Sequence, residues 1–96
     1  MKRAHHDLKV WQEAMDLVKM IYQSSSSFPE SENFGLTSQI RRAAISVPSN
    51  IAEGAARTSD KEFLQFLSIS RGSLSEVETQ MLISRNLGYL ENPDHV

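Results

Sequence analysis

The stretch SVPSNIAEG, residues 46–54, lies inside a segment with helical periodicity and puts a proline in its middle. Pro48 has no amide hydrogen and its ring presses on the carbonyl four residues earlier, so a helix that continues through it must bend. Ser49 and Asn50 carry short polar side chains that can hydrogen-bond carbonyls left without partners. We therefore predict one helix with a kink at Pro48, Ser49 and Asn50. The alternative is a real break, after which Asn50-x-x-Glu53 caps a fresh helix.

The same stretch could form a phosphate-binding or catalytic turn, but its composition argues against both. A phosphate loop needs several glycines ahead of a helix and a lysine, whereas this stretch has Gly54 alone, at its far end, and no lysine. A serine nucleophile needs a base, and His5, His6 and His95 all lie near the ends of the chain. We predict that the protein is not an enzyme and has no catalytic residues and no cofactor.

Apolar residues recur at spacings of three and four along the first part of the chain, as they do in amphipathic helices. This pattern predicts a helix over residues 8–24, with Asp7 as its N-cap. The helix that contains Pro48 is predicted over residues 36–56. The stripe of the first helix consists of Leu8, Trp11, Met15, Val18 and Tyr22, widened by Ala14 and Ile21.

A third helix is predicted over residues 59–87. Ser59-x-x-Glu62 has the capping-box spacing at its start, and Gly88 fits a left-handed cap at its end. Its seam follows a heptad-like spacing with polar residues at two positions: Phe63, Leu67, Ser70, Leu74, Val77, Met81 and Ser84.

The last residues resemble the start of a fourth helix. Asn92 stands at the N-cap, Pro93 at the first helical position and Asp94 in the first turn, although a polar tail with a chance Asn-Pro turn is the alternative. No segment alternates as a half-buried strand does, and the links between helices are short. We predict an all-α single domain over residues 1–96. Its architecture is an antiparallel up-and-down four-helix bundle whose fourth helix is missing or truncated in this chain, or is replaced by another chain.

The composition is typical of one small globular domain. The 96 residues are 40% hydrophobic and 23% charged, contain no cysteine and carry a formal net charge of −2. The lack of cysteine excludes disulfides and thiolate metal sites, and no histidine lies inside a predicted helix, where a di-iron bundle needs it. No segment approaches the roughly 20 apolar residues of a membrane span, and the N-terminus has no signal-peptide pattern. We predict a cytoplasmic protein without a metal site or membrane association.

Basic residues make the stretch 41–72 locally positive, because five cations face only three acids there. The cations are Arg41, Arg42, Arg57, Lys61 and Arg71, and the acids are Glu53, Asp60 and Glu62. One interpretation is a surface that contacts the phosphates of RNA or DNA. The other, which we favour, is a structural ion-pair network of Arg42 with Glu53 and Glu76. Since adjacent helical residues point about 100° apart, at most one of Arg41 and Arg42 should lie centrally on any one face.

Several motifs of the chain are close to those of a known family. They are Gln39-x-Arg41-Arg42-Ala43, SVPSNIAEG with Arg57 after it, Gly72-Ser73-x-x-Glu76, and W-x-x-A-M-x-L-V from Trp11. By these motifs, which span nearly the whole chain, it resembles the four-helix bundle proteins encoded within intervening sequences of bacterial 23S ribosomal RNA genes, the S23 family.

The resemblance implies an antiparallel four-helix bundle that assembles as a homopentamer and has no established enzymatic activity. A related branch is the accessory protein of diversity-generating retroelements, a pentamer thought to bind nucleic acid beside a reverse transcriptase. We therefore expect a homo-oligomer that contacts RNA, DNA or a nucleic-acid-processing protein through a basic surface. The alternative is a purely structural oligomer whose arginines are all committed to ion pairs. Family members normally continue past the Gly-Tyr-Leu region into a leucine-rich fourth helix. This sequence differs from the family pattern at that point.

Overall fold

A computed structural model describes residues 4–90 of the chain. Three α-helices account for most of this part: α1 (Lys9–Ser25), α2 (Leu36–Ala55) and α3 (Asp60–Asn86). Short 3-10 turns at His5–Asp7 and Glu30–Glu32 precede α1 and α2, and residues 4–90 contain no strand. The all-α prediction is confirmed for these residues. The predicted fourth helix is not, because its start at Asn92 lies outside them.

Helix α2 is the central element of the fold. It packs antiparallel against α1 on one side and α3 on the other, whereas no Cα atom of α1 lies within 8 Å of one in α3. The three helices therefore form a folded layer with one side open between α1 and α3. The principal extents of 48 × 25 × 17 Å reflect this thin arrangement.

The core lies along both flanks of α2. One cluster of buried side chains joins all three helices, and it consists of Ile21, Phe28, Ile40, Ala43, Ala44 and Val77. A second cluster joins α1 to α2 through Ala14, Val47 and Ile51. Because α2 alone covers α1, the buried face of α1 centres on Ala14 and Ile21, and the predicted stripe residues Met15 and Tyr22 are exposed.

Helix α3 buries only part of its predicted seam. Ser70, Val77 and Ser84 are buried, as is Gln80, which lay outside the predicted seam. Leu74, however, is 45% exposed, because it faces the open side, where no helix of residues 4–90 covers it.

Pro48 lies inside one continuous helix. Ser49 Oγ donates to the Ile45 carbonyl at 2.8 Å, and Asn50 Nδ2 donates to the Ser46 carbonyl at 2.8 Å. Asn50 thus hydrogen-bonds the preceding turn and does not begin a new helix, so the alternative of a real break is wrong. The buried proline ring also lies on the flank of α2 that faces α1, beside Trp11.

The helix ends follow the sequence signals in two of three cases. Ser59 Oγ accepts from the Glu62 amide at 3.1 Å and caps α3, and Gly88 has φ +79 at its other end. The Tyr89 amide then donates to the Ser84 carbonyl at 2.9 Å, which completes a Schellman motif. The predicted Asp7 cap is wrong, because Asp7 belongs to the first 3-10 turn and Leu8 precedes α1 without a side-chain cap.

Candidate functional site

Arg41 is bound to α1. Its Nε donates to Ser25 Oγ at 2.8 Å, and its Nη2 donates to the Tyr22 carbonyl at 3.3 Å. The guanidinium carbon also lies 4.5 Å from the centre of the Tyr22 ring, within the range of a cation–π contact. These contacts hold the side chain in one position on the surface of the α1–α2 pair.

Arg57 is committed to the corner between α2 and α3. Its guanidinium lies 3.1 Å from the Glu53 carboxylate and 3.9 Å from that of Glu62, and 4.8 Å from the centre of the Phe66 ring. The ion pairs are partly exposed, so each contributes at most about 1 kcal/mol to stability. Arg57 therefore serves the corner and has little freedom to contact another molecule.

The other three predicted cations, Arg42, Lys61 and Arg71, are exposed, and none forms an ion pair within 4 Å among residues 4–90. The structure therefore separates the five basic residues into two whose side chains are held by neighbouring residues and three that form no ion pair among residues 4–90.

The predicted network of Arg42 with Glu53 and Glu76 is not assembled in the described part of the chain. Glu53 pairs with Arg57 instead. Arg42 and Glu76 do line one cleft of about 470 Å³ between α2 and α3, but they form no ion pair within 4 Å. Glu76 accepts a long hydrogen bond of 3.4 Å from Gln80. The roles of these residues in ion pairing or nucleic-acid contact stay predictions.

Hydroxyl groups connect α2 to α3 at the base of this cleft. Ser46 Oγ and Ser73 Oγ lie 2.6 Å apart, and Asn50 Nδ2 donates to Ser46 Oγ at 3.0 Å. At the rim of the cleft stands Phe34, whose side chain is fully exposed. Sequence reasoning missed Phe34, although an aromatic residue in the polar loop before α2 was a signal that could have found it.

A second cleft, of about 590 Å³, lies between α1 and α2 and brings Arg41 and Arg42 together. Both arginines border it despite the rotation of about 100° between adjacent positions. Its other lining residues are Tyr22, Asn33, Thr37, Ser38 and Ile45.

The open side between α1 and α3 is apolar. Val10 and Leu17 of α1, Val47 of α2 and Leu74 of α3 line a groove of about 220 Å³, and Glu13 is the one charged residue in its lining. Val10 is 49% exposed and Leu74 is 45% exposed. Both are residues that would be buried if another helix lay in the groove.

The histidines and acids of residues 4–90 do not cluster. No group of three or more histidine, cysteine, aspartate or glutamate side chains in this part could hold a metal ion. His5 and His6 pack edge-on against Trp11, with ring centres 5.1 and 5.3 Å apart, while His95 lies outside the described residues. None of the three α-helices described is long and apolar enough to cross a membrane.

Comparison with known proteins identifies the family. No curated protein matches the chain. A family model described as 23S rRNA-intervening sequence protein matches residues 6–96, which is nearly the full length and includes the motifs around Arg42, Pro48 and Glu76. The chain therefore belongs to the family of 23S rRNA-intervening sequence proteins.

Proposed function

We propose that this protein is a non-enzymatic helical-bundle protein that self-assembles, and that copies of the chain cover one another's open side between α1 and α3. The observation that carries this proposal is the apolar groove of Val10, Leu17, Val47 and Leu74. Removing apolar surface from water is favourable by roughly 25 cal/mol for each Å². Covering this groove would therefore stabilise the protein.

The distribution of apolar side chains on α3 supports assembly. Helix α3 has large apolar side chains that are exposed, in addition to those that pack against α2. They include Leu64, Ile69, Leu74, Leu82 and Ile83. Soluble monomers rarely expose contiguous apolar patches, and larger ones mark interaction sites. A helix with apolar residues around most of its surface is typical of a position inside a larger bundle.

The shape of the folded layer also supports a second copy as the occupant. The radius of gyration is 15.1 Å, whereas a compact domain of this length has about 12.5 Å. A layer this thin buries a small share of its apolar surface, and symmetric association of identical chains is the commonest way for a small soluble protein to bury more. A homopentamer is the stoichiometry that the family resemblance implies, and it forms part of this proposal.

Light scattering on the purified chain tests self-assembly. We expect an oligomer for the unaltered protein and a shift to smaller species for Leu74→Lys, because the lysine places a charge in the covered groove. Gln65→Lys is the matched control, since it introduces the same residue at an exposed position of α3 outside the groove. A monomeric unaltered protein, or equal effects of the two lysines, would contradict the proposal.

Nucleic-acid binding is a second candidate function, favoured by the freedom of Arg42, Lys61 and Arg71. A purely structural oligomer would commit its arginines to ion pairs, and these three cations have none among the described residues. Filter binding to structured RNA and DNA at low and moderate salt tests this candidate. We expect salt-sensitive binding that weakens for Arg42→Ala with Arg71→Ala, because each phosphate contact releases counterions. Absence of binding at low salt would leave only the structural oligomer.

A further inference from the structure

The cleft between α1 and α2 has the composition of an anion site. Of its seven lining residues, two are arginines and none is acidic, so the lining itself carries two positive charges although the chain as a whole has a net charge of −2. Its volume of about 590 Å³ falls within the usual range of small-molecule sites, about 300–1,000 Å³. The cleft therefore has room for an anionic group together with part of the molecule that carries it.

Arg41 is positioned for a ligand before the ligand arrives. Its Nε donates to Ser25 Oγ and its Nη2 donates to the Tyr22 carbonyl, while the guanidinium carbon lies over the Tyr22 ring. Its Nη1 has no acceptor among the described residues. A guanidinium that is already held loses little side-chain entropy when it binds an oxyanion.

Arg42 supplies the second positive charge. It is exposed on the ridge that separates this cleft from the α2–α3 cleft, and it lines both. Glu76 borders the α2–α3 cleft but not the α1–α2 cleft, and it makes no ion pair with Arg42. The guanidinium of Arg42 can thus turn toward an anion between α1 and α2, with Glu76 as its competitor on the other side.

Thr37 adds an unsatisfied hydroxyl group beside the two arginines. It lines the α1–α2 cleft, is only 7% exposed, and its hydroxyl oxygen is buried without a hydrogen-bond partner. A buried hydroxyl without a partner costs stability, so such groups are rare in folded proteins. Ser38 and Asn33 add further hydrogen-bonding groups to the same lining.

We propose that the α1–α2 cleft binds a phosphate monoester, held by Arg41 and Arg42, with the Thr37 hydroxyl rotating from its buried position to hydrogen-bond it. Two guanidinium groups match the dianionic charge that a monoester carries above its second pKa of about 6, whereas a phosphodiester carries a single charge. This site does not depend on self-assembly, and a free nucleotide would satisfy it as well as the phosphorylated end of a nucleic acid.

Isothermal titration with inorganic phosphate, adenosine 5′-monophosphate and adenosine tests the proposal. We expect the two phosphate compounds to bind and adenosine not to bind. Binding of the monophosphate should strengthen as the pH rises through about 6, because the ligand gains its second charge there. Equal affinity for adenosine and its monophosphate, or an affinity that is the same on both sides of this pH, overturns the proposal.

Three variants locate the site. Arg42→Gln should weaken phosphate binding about ten-fold or more, and Arg71→Gln, which removes the same charge outside the cleft, should leave it unchanged. Thr37→Val keeps the shape of the side chain, so we expect an unaltered or higher melting temperature with binding about three-fold weaker. Equal weakening by the Arg42 and Arg71 variants would show general charge attraction and overturn the proposal, as would full affinity in the Thr37 variant.

Glu76→Gln gives a result of opposite sign. It removes the carboxylate that competes for Arg42, so phosphate binding should become tighter, and a loss of affinity would contradict the assigned geometry.

Oligonucleotides with and without a 5′-phosphate then identify the source of the ligand. Tighter binding of the phosphorylated oligonucleotide than of adenosine 5′-monophosphate assigns the site to a nucleic-acid end, and the reverse order assigns it to a free nucleotide.

Discussion

Gly54 is a point of close approach between α2 and α3. A Cβ atom added there would lie 2.7 Å from Phe66 Cβ and 3.2 Å from the Phe63 carbonyl oxygen. Neither neighbouring atom is the free end of a flexible side chain, so the two helices would have to separate. The structure, and not a pattern in the sequence, identifies Gly54 as a glycine that the contact between these helices requires.

We expect Gly54→Ala to lower the free energy of unfolding by up to about 2 kcal/mol. Overpacking costs about 1–3 kcal/mol, which exceeds the roughly 1 kcal/mol that alanine gains over glycine in a helix. Urea unfolding measures the change. Gly72→Ala in α3 is the control, because nothing lies within 4 Å of the added atom and the variant should be as stable as the unaltered protein or more so. Equal effects of the two substitutions would contradict the close approach at Gly54.

Glu32 joins the start of α2 to Tyr89, which follows α3. Its Oε1 accepts from the Leu36 amide at 3.1 Å at the start of α2, and its Oε2 accepts from the Tyr89 hydroxyl at 2.9 Å beyond α3. These donors, the Leu36 amide first, lower the pKa of Glu32 below its ordinary value. The hydrogen bond to Glu32 in turn raises the pKa of Tyr89. No local pattern in the sequence predicts this contact, since its partners are separated by 57 residues.

The lowered pKa of Glu32 makes part of the stability depend on pH. Because the carboxylate is favoured in the folded state, its contribution is present above the ordinary glutamate pKa of about 4.3 and is lost as the pH falls through the lowered pKa. Tyr89→Phe removes one donor, so its melting temperature should fall less steeply on acidification. Melting curves from neutral pH downward, with Tyr22→Phe as control, measure this. Parallel curves for the Tyr89 variant and the unaltered protein would refute it.

At the scale of the element, α2 shows what helical periodicity can and cannot predict. The helix and its continuation through Pro48 follow from local spacing and from small polar residues. The faces that become buried depend on which helices are present. Met15, Tyr22 and Leu74 were predicted for the core from periodicity alone, and they are exposed because α1 and α3 each pack only against α2.

A buried hydroxyl group connects α2 to α3 beside Pro48. Ser70 is buried, and its Oγ donates to the Val47 carbonyl at 2.8 Å, the residue before Pro48. Ser70→Ala should therefore lower the free energy of unfolding by about 1 kcal/mol, the usual net contribution of such a hydrogen bond. Ser75→Ala, at an exposed position of the same helix, should change it by less than about 0.5 kcal/mol. Chemical unfolding that finds both variants equally stable would rule out this role for Ser70.

The candidate site was less predictable than the fold. The sequence identified all five cations, but it could not separate anchored Arg41 and Arg57 from free Arg42, because that depends on Tyr22 and Glu62 in other elements. Thr37 gave no signal, since a threonine in the first turn of a helix is ordinary until its surroundings are known. The spacing of residues along the sequence does not predict which side chains meet through tertiary contacts.

At the scale of the whole molecule, the open α1–α3 side is the feature that most directly favours self-assembly. An up-and-down bundle of four helices encloses its core on all sides, whereas this layer of three leaves Val10 and Leu74 in water. We propose that another copy covers them. This makes folding and association interdependent, so the melting temperature should rise with protein concentration.

The absence of cysteine from the chain allows the most direct test. Val10→Cys would carry one thiol inside the groove, and Gln65→Cys would carry one outside it. We predict that the thiol at position 10 reacts slowly with a labelling reagent in concentrated protein and fast after dilution, while the thiol at position 65 reacts fast in both. Equally fast labelling at the two positions in concentrated protein would show that no copy covers the open side.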